Sequence, residues 1–196
     1  MIEAELKARV HAPDTVRARL AGLADEEAAT YADTYYDWPD RRLTNGGWEL
    51  RVRVVETDAG RRTLLTYKEP PADTGSGSKP EHETAVDDDR PVDVMLRGLG
   101  LTVLVELTKH CRNYRFRVHG RDMLATLVTV PELHGTFLEV ETIAEPNELD
   151  AALGAVRAVL DDLDLLDDLD ATDYTDAVMR ARGLLDKGTV HTEGTT

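Results

Sequence analysis

An α+β fold, with many antiparallel strands closing on themselves and a few helices packed outside, is the class this sequence predicts. Three observations carry that reading. Short segments of alternating polarity, separated by Gly, Pro and Asn turn signals, recur as far as residue 143. Leucines at helical spacing dominate the stretch after Pro146. In strand after strand the polar face carries matched charges instead of the usual Thr, Ser, Gln and Lys mixture, which suits a sheet rolled up with those faces inside.

Residues 3–10 form the first expected strand, with Glu3, Glu5 and Lys7 on one face because side chains alternate with period two. Pro13 opens a short helix with Val16, Leu20 and Leu23 on its buried face. A tyrosine-rich strand is expected over 30–36. Asn45-Gly46-Gly47 signals a turn, 48–56 follows with clean alternation, and 62–67 continues the meander. The stretch 70–80, PPADTGSGSKP, is too polar and glycine-rich to pack and reads as a flexible loop. Residues 81–86 form another strand. Asp88 or Asp89 caps a helix with Pro91 in its first turn and Val94, Met95 and Leu99 facing inward, stopped by Gly98 and Gly100. Strands are expected over 101–118, 123–130 and 137–143, with a His134-Gly135 turn before the last. Pro146-Asn147 starts a helix with Leu149, Leu153, Val156, Leu160 and Leu163 on one stripe, and a second helix runs from about Tyr174 to Leu185. A single domain over 1–186 is expected, followed by a flexible tail at 187–196.

A formal net charge of -15 argues against non-specific binding to nucleic acid or to an anionic membrane. Acid concentrates in 145–176, whereas 41–70 and 109–121 are rich in Arg. The single cysteine, Cys111, excludes an internal disulfide and a thiolate zinc cluster. No basic region followed by an apolar run opens the chain, and no apolar stretch is long enough to span a bilayer. A soluble, cytoplasmic protein with neither nucleic acid nor membrane as partner is the expectation.

The matched charges carry the functional argument. Arg51 and Arg53 share a face opposite Leu50, Val52 and Val54; Thr66 and Lys68 lie opposite Leu65 and Tyr67. Glu81 and Glu83 pair with His82 opposite, and Glu139 and Glu141 pair opposite Leu138, Val140 and Thr142. Each pair alone fits a wet surface strand. Together they do not, because like charges two residues apart repel unless something between them compensates. With the charged faces inward, bases and acids line a wide, wet channel and the apolar faces pack outward under the helices. A polyphosphate with divalent cations neutralises both sets: Lys and Arg hold phosphate oxygens, and paired carboxylates ligate Mg2+ or Mn2+.

At this point the chain resembles the CYTH superfamily, the triphosphate tunnel metalloenzymes, which includes class IV adenylyl cyclases and thiamine or inorganic triphosphatases. The matching stretches are EAELK at 3–7, DTYYDWPDRRL at 33–43, WELRVR at 48–53, LTYKEP at 65–70, EHE at 81–83, KHCR at 109–112 and GTFLEVE at 135–141. The resemblance implies a closed eight-stranded antiparallel barrel, a tunnel, that takes a small-molecule triphosphate with Mg2+ or Mn2+. It further implies that Lys7, Arg51, Arg53, Lys68, Lys109 and Arg112 clasp phosphates, with Lys7, Arg53 and Lys68 as the catalytic cations. Glu3, Glu5, Glu139 and Glu141 are the implied metal ligands, with Glu81 and Glu83 as secondary ones. Two departures stand out. Members usually show K-x-R where this chain has Lys109-His110-Cys111-Arg112, so a bulge is needed to aim Arg112 inward. Many also carry an Asp shortly before the G-x-F turn, where Thr129 is the nearest counterpart.

Three activities fit such a site. Water as nucleophile makes a triphosphatase, placed ahead here; the 3′-hydroxyl of bound ATP makes a cyclase yielding cyclic AMP and pyrophosphate; a non-catalytic polyphosphate-binding module is the third. Positioning and charge neutralisation dominate phosphoryl transfer in any of them. Tyr35, Tyr36, Trp38 and Trp48 are available to stack on a base, although packing is the commoner role for such residues. A homodimer is suggested by analogy with the cyclases. The six histidines show no HxH or HExxH spacing, and Cys111 has no Cys-His-Asx company, so neither forms a further site.

Overall fold

The computed structural model describes residues 1–72 and 77–185. Eight strands close into an antiparallel barrel: β1 (Ile2–Val10), β2 (Glu26–Asp37), β3 (Glu49–Thr57), β4 (Gly60–Lys68), β5 (Lys79–Val86), β6 (Thr102–Val118), β7 (Arg121–Thr129) and β8 (Thr136–Ala144). Around the barrel they run β1-β5-β4-β3-β2-β6-β7-β8. The helices are α1 (Pro13–Ala21), α2 (Arg42–Asn45), α3 (Asp89–Gly98), α4 (Leu149–Asp162) and α5 (Tyr174–Ala181). The expected tail at 187–196 lies outside the described residues.

The barrel is inside out relative to an ordinary hydrophobic core. Along β1 every even residue, Ile2 to Val10, is buried, and every odd residue from Glu3 to Arg9 is half-buried. The even side chains point outward, where Ala4 and Ala8, both fully buried, let the backbone of α4 approach closely. Leu149, Leu153, Val156, Leu160 and Leu163 supply the helix's side of that core, as the leucine stripe predicts. Each such side chain contributes about 1.5–3 kcal/mol by leaving water. The apolar mass therefore sits between barrel and helices, leaving the interior free for charge.

Turn chemistry places the strands. His119 and Gly120 join β6 to β7 with φ of 53° and 75°, the double left-handed conformation of a two-residue hairpin. The Asn45-Gly46-Gly47 signal does not make a hairpin; it closes α2, whose C-cap is Gly46. Glycine is required there, because a Cβ on Gly46 would lie 1.9 Å from the Trp48 ring. Buried Asp37 ties this connection down, accepting from the backbone N–H of Trp38, Leu43 and Thr44 and from the Thr44 hydroxyl.

Pairing is uneven around the ring. β1 and β8 pair over nine positions, Ile2–Ala144 through Val10–Thr136. β1 and β5 meet at two, Ile2–Pro80 and Glu3–Lys79, with the Glu5 N–H donating to Ser78 Oγ at 3.3 Å.

Two expectations about apolar faces need correction. Val94, Met95 and Leu99 of α3 do not face inward; they are 69%, 61% and 71% exposed. Leu96 is the residue that packs against Tyr36, Val52 and Leu101. A polar tie accompanies this rotation: the Tyr36 hydroxyl donates to Asp93 Oδ1 at 2.9 Å, which turns the Asp93 side of the helix toward β2. Leu23 is exposed because α1 ends at Ala21, before the stripe reaches it. No helix among the described residues is long and apolar enough to cross a membrane.

Candidate functional site

Period-two alternation delivers the charged rows to one cavity of about 660 Å3 inside the barrel. β1 contributes Glu3, Glu5 and Lys7, and β8 contributes Glu139 and Glu141. Register sets them in facing pairs, Glu5 beside Glu141 and Lys7 beside Glu139. From the other strands come Arg51 and Arg53, Lys68, Glu81 and Glu83, and Lys109.

Within the cavity the cations are tethered in different ways. Lys68 bridges Glu3 and Glu81, the latter at 2.8 Å. Lys109 lies 3.2 and 3.3 Å from the two Glu139 oxygens. Arg53 forks onto Asp33 at 2.6 and 2.7 Å and rests on the Tyr31 ring, 4.6 Å from its centroid. Arg51 Nη2 donates to Thr66 Oγ1 at 3.3 Å, and the Thr66 hydroxyl donates to Glu83 at 2.9 Å. Arg51 Nε is buried with no hydrogen-bond partner among the described residues, an arrangement that leaves a donor free for an anion. Lys7 Nζ donates to the Thr172 carbonyl.

The acids divide by environment. Burial pushes Glu3 up, but the charge and hydrogen bond of Lys68 prevail and hold it at about 2. Glu5 rises to about 7 because burial is joined by repulsion from Glu139 and Glu3. Glu141 is raised well above its ordinary value by burial and then by Glu3, Glu5 and Glu139. Carboxylate oxygens of Glu3, Glu5 and Glu141 lie within 4.8 Å of one another. Oxygen donors alone, crowded, and electrostatically short of positive charge, make a donor set that fits a hard divalent cation. The other three expected ligands are outside that trio and have other partners: Glu139 is with Lys109, Glu81 shares Lys68 with Glu3, and Glu83 is with Thr66.

Arg112 is not in the tunnel. β6 pairs with β2 without interruption from Lys109–Tyr31 to Arg112–Ala28, so no bulge intervenes and parity sends Arg112 outward to Glu26. Cys111 takes the inward position, where burial pushes its thiol up to about 12. Thr129 is likewise on the outer face, opposite His110; Leu124 and Thr126 are the β7 residues that line the cavity. Of the aromatics expected to stack on a base, Tyr35 lines the cavity, whereas Tyr36 and Trp38 belong to the packing around α3.

Several cavity residues escape the sequence reading. Tyr31 lines the cavity and Asp33 is buried against Arg53; both sit at odd positions of β2, where extending the parity rule finds them. Glu49 and Lys79, paired with each other, follow from the same rule. Asp173 and Tyr174 carry no local signal. They reach the tunnel because the 169–172 segment clips onto β1, through an Ala8–Leu169 bridge and a hydrogen bond from the Asp170 N–H to the Lys7 carbonyl.

A profile of the CYTH domain matches residues 1–171, the span that holds the barrel and its ionic rows. The chain belongs to the CYTH domain family. It is similar to a Methanocaldococcus jannaschii protein named as a candidate adenylate cyclase, 27% identical over 168 residues that cover 84% of this chain and 91% of that one. Its fold matches that of the PH1819 protein of Pyrococcus horikoshii with a TM-score of 0.79 at 24% identity, covering 91% and 98% of the two chains. A Hippeastrum protein, HpAC1, named as a candidate adenylyl cyclase with a dominant triphosphatase activity, matches with a TM-score of 0.64 at 16% identity, covering 91% and 95%.

Proposed function

We propose that this protein is a divalent-cation-dependent phosphohydrolase acting on a nucleoside or other organic triphosphate inside its tunnel. The observation that supports this most is the Glu3, Glu5 and Glu141 trio enclosed in one cavity with Arg51, Arg53, Lys68 and Lys109. A site for anions alone has no use for three crowded carboxylates, and one for cations alone has no use for four bases.

Lys7, Arg51, Arg53 and Lys109 bind the phosphate chain and hold it along the tunnel axis. Lys68, fixed between Glu3 and Glu81, keeps Glu3 ionised and in place. Glu3, Glu5 and Glu141 would hold Mg2+ or Mn2+, which would supply charge neutralisation at phosphate oxygens and orientation of the nucleophile. These charges are fixed on the barrel strands before substrate arrives, which suits a group whose transfer needs positioning above all. Attack by water on the terminal phosphorus releases orthophosphate and leaves a diphosphate.

The alternative is attack by the 3′-hydroxyl of bound ATP on the α-phosphorus, forming cyclic AMP and releasing pyrophosphate; the name of the M. jannaschii relative favours it. The dominant triphosphatase activity of the Hippeastrum protein favours hydrolysis. Incubation with ATP, thiamine triphosphate and tripolyphosphate, each with Mg2+ or Mn2+, separates the readings by product. Orthophosphate supports hydrolysis, cyclic AMP supports cyclisation, and neither product with any substrate leaves a polyphosphate-binding module. Glu5→Ala and Lys7→Ala should each abolish turnover; unchanged rates would defeat the site assignment.

A further inference from the structure

Lys7 differs from the other tunnel bases in what holds it. Lys68, Lys109 and Arg53 each touch a carboxylate, whereas no ion pair involves Lys7 among the described residues. Its ammonium donates to the Thr172 carbonyl and lies 4.3 Å from the centroid of the Tyr174 ring. The Lys109 ammonium lies 4.6 Å from the same ring. Tyr174 is the first residue of α5, is buried, lines the cavity, and is fixed edge-on against Phe137 at 5.5 Å and 88°.

We propose that Tyr174 is a positioning residue for substrate, its ring face drawing the Lys7 ammonium to the phosphate-binding wall beside Lys109 while leaving the charge of Lys7 unspent. Two ammonium groups brought near one another repel. Glu139 already pairs with Lys109, and a further carboxylate on Lys7 would relieve the repulsion only by cancelling charge that a polyanion needs. An aromatic face attracts cations through its quadrupole and carries no net charge. Arg53 likewise rests on an aromatic face, that of Tyr31 at 4.6 Å, on the strand position next to Lys109.

This inference rests on the triphosphate-binding reading, and its test separates the two. The full chain is titrated calorimetrically with imidotriphosphate, a non-hydrolysable tripolyphosphate analogue, in the presence of Mg2+. Tyr174→Phe keeps the ring and should bind within about twofold of the parent, while Tyr174→Leu should bind about tenfold more weakly. In a second series Tyr174 is replaced by phenylalanine bearing one, two and three ring fluorines. This weakens the quadrupole stepwise at nearly constant volume, so folding is preserved and affinity should fall with each fluorine. A flat fluorine series, or a folded Tyr174→Leu protein that binds like the parent, overturns the role of the ring while leaving triphosphate binding intact. Failure of the parent itself to bind the analogue overturns the triphosphate reading and this inference with it.

Discussion

Replacing Asp33 with Asn tests whether the tunnel's charges are held as a balanced set. Asp33 has no exposed side-chain surface, and Arg53, 13% exposed, forks onto it at 2.6 and 2.7 Å. Opposite charges about 4 Å apart attract by roughly 4 kcal/mol at an effective dielectric of about 20. Removing one member of a buried pair costs about 3–5 kcal/mol, because the survivor stays uncompensated. Arg53 keeps its Tyr31 face and some water, so the low end applies. Asp33→Asn should therefore cost about 3 kcal/mol, or about 6–12 °C in Tm for a chain of this size. Urea unfolding from pH 3 to 8 measures it. Burial alone would raise the Asp33 carboxyl, but the charge and hydrogen bonds of Arg53, with Arg51 and Lys109 behind, hold it well below the ordinary range. A depressed carboxylate stabilises the fold above its unfolded value, near 3.9, and loses that contribution as pH falls toward its folded value. The gap between parent and variant should be constant from about pH 5 to 8 and close below about pH 4. Coincident curves at pH 7, or a gap that widens toward alkaline pH, would refute the account.

Chelation should lower Tm and added Mg2+ or Mn2+ restore it, by about 2.7 kcal/mol at a hundredfold excess over Kd. Glu141→Gln should abolish that increment in a thermal-shift titration, since it removes one of the three converging carboxylates. Arg112→Ala breaks a partly exposed pair with Glu26, so it should cost at most about 1 kcal/mol and leave tripolyphosphate affinity unchanged in calorimetry. On α3, Leu96→Ala should cost about 2–3 kcal/mol in urea unfolding, whereas Met95→Ala, on the exposed face, should stay within about 0.5 kcal/mol.

Alternation is what made the site legible. Glu3, Glu5, Arg51, Arg53, Lys68, Glu139 and Glu141 are all placed by counting in twos along strands whose other face is apolar. The same rule, applied strictly, excludes Arg112, and reading it inward required a bulge that the β2–β6 register does not contain between Lys109 and Arg112. Periodicity was a weaker guide on α3, where three apolar residues satisfy helical spacing but the side tied by the Tyr36–Asp93 hydrogen bond meets the core. Tyr174 could not be found from pattern at all. Its place depends on a segment without regular repeat docking on the opposite end of the sequence, and only the folded chain brings Lys7 and Thr172 together.

The short β1–β5 junction has a dynamic consequence. With two paired positions among the described residues, one of them Pro80 and so lacking an N–H, it is where the cylinder should breathe first. Lys68 and the carboxylates of Glu3 and Glu81 straddle that gap from three neighbouring strands. Amide exchange near Glu3 and Lys79 should accordingly outpace that along β2 and β6, and slow when an occupant sutures the slit from within.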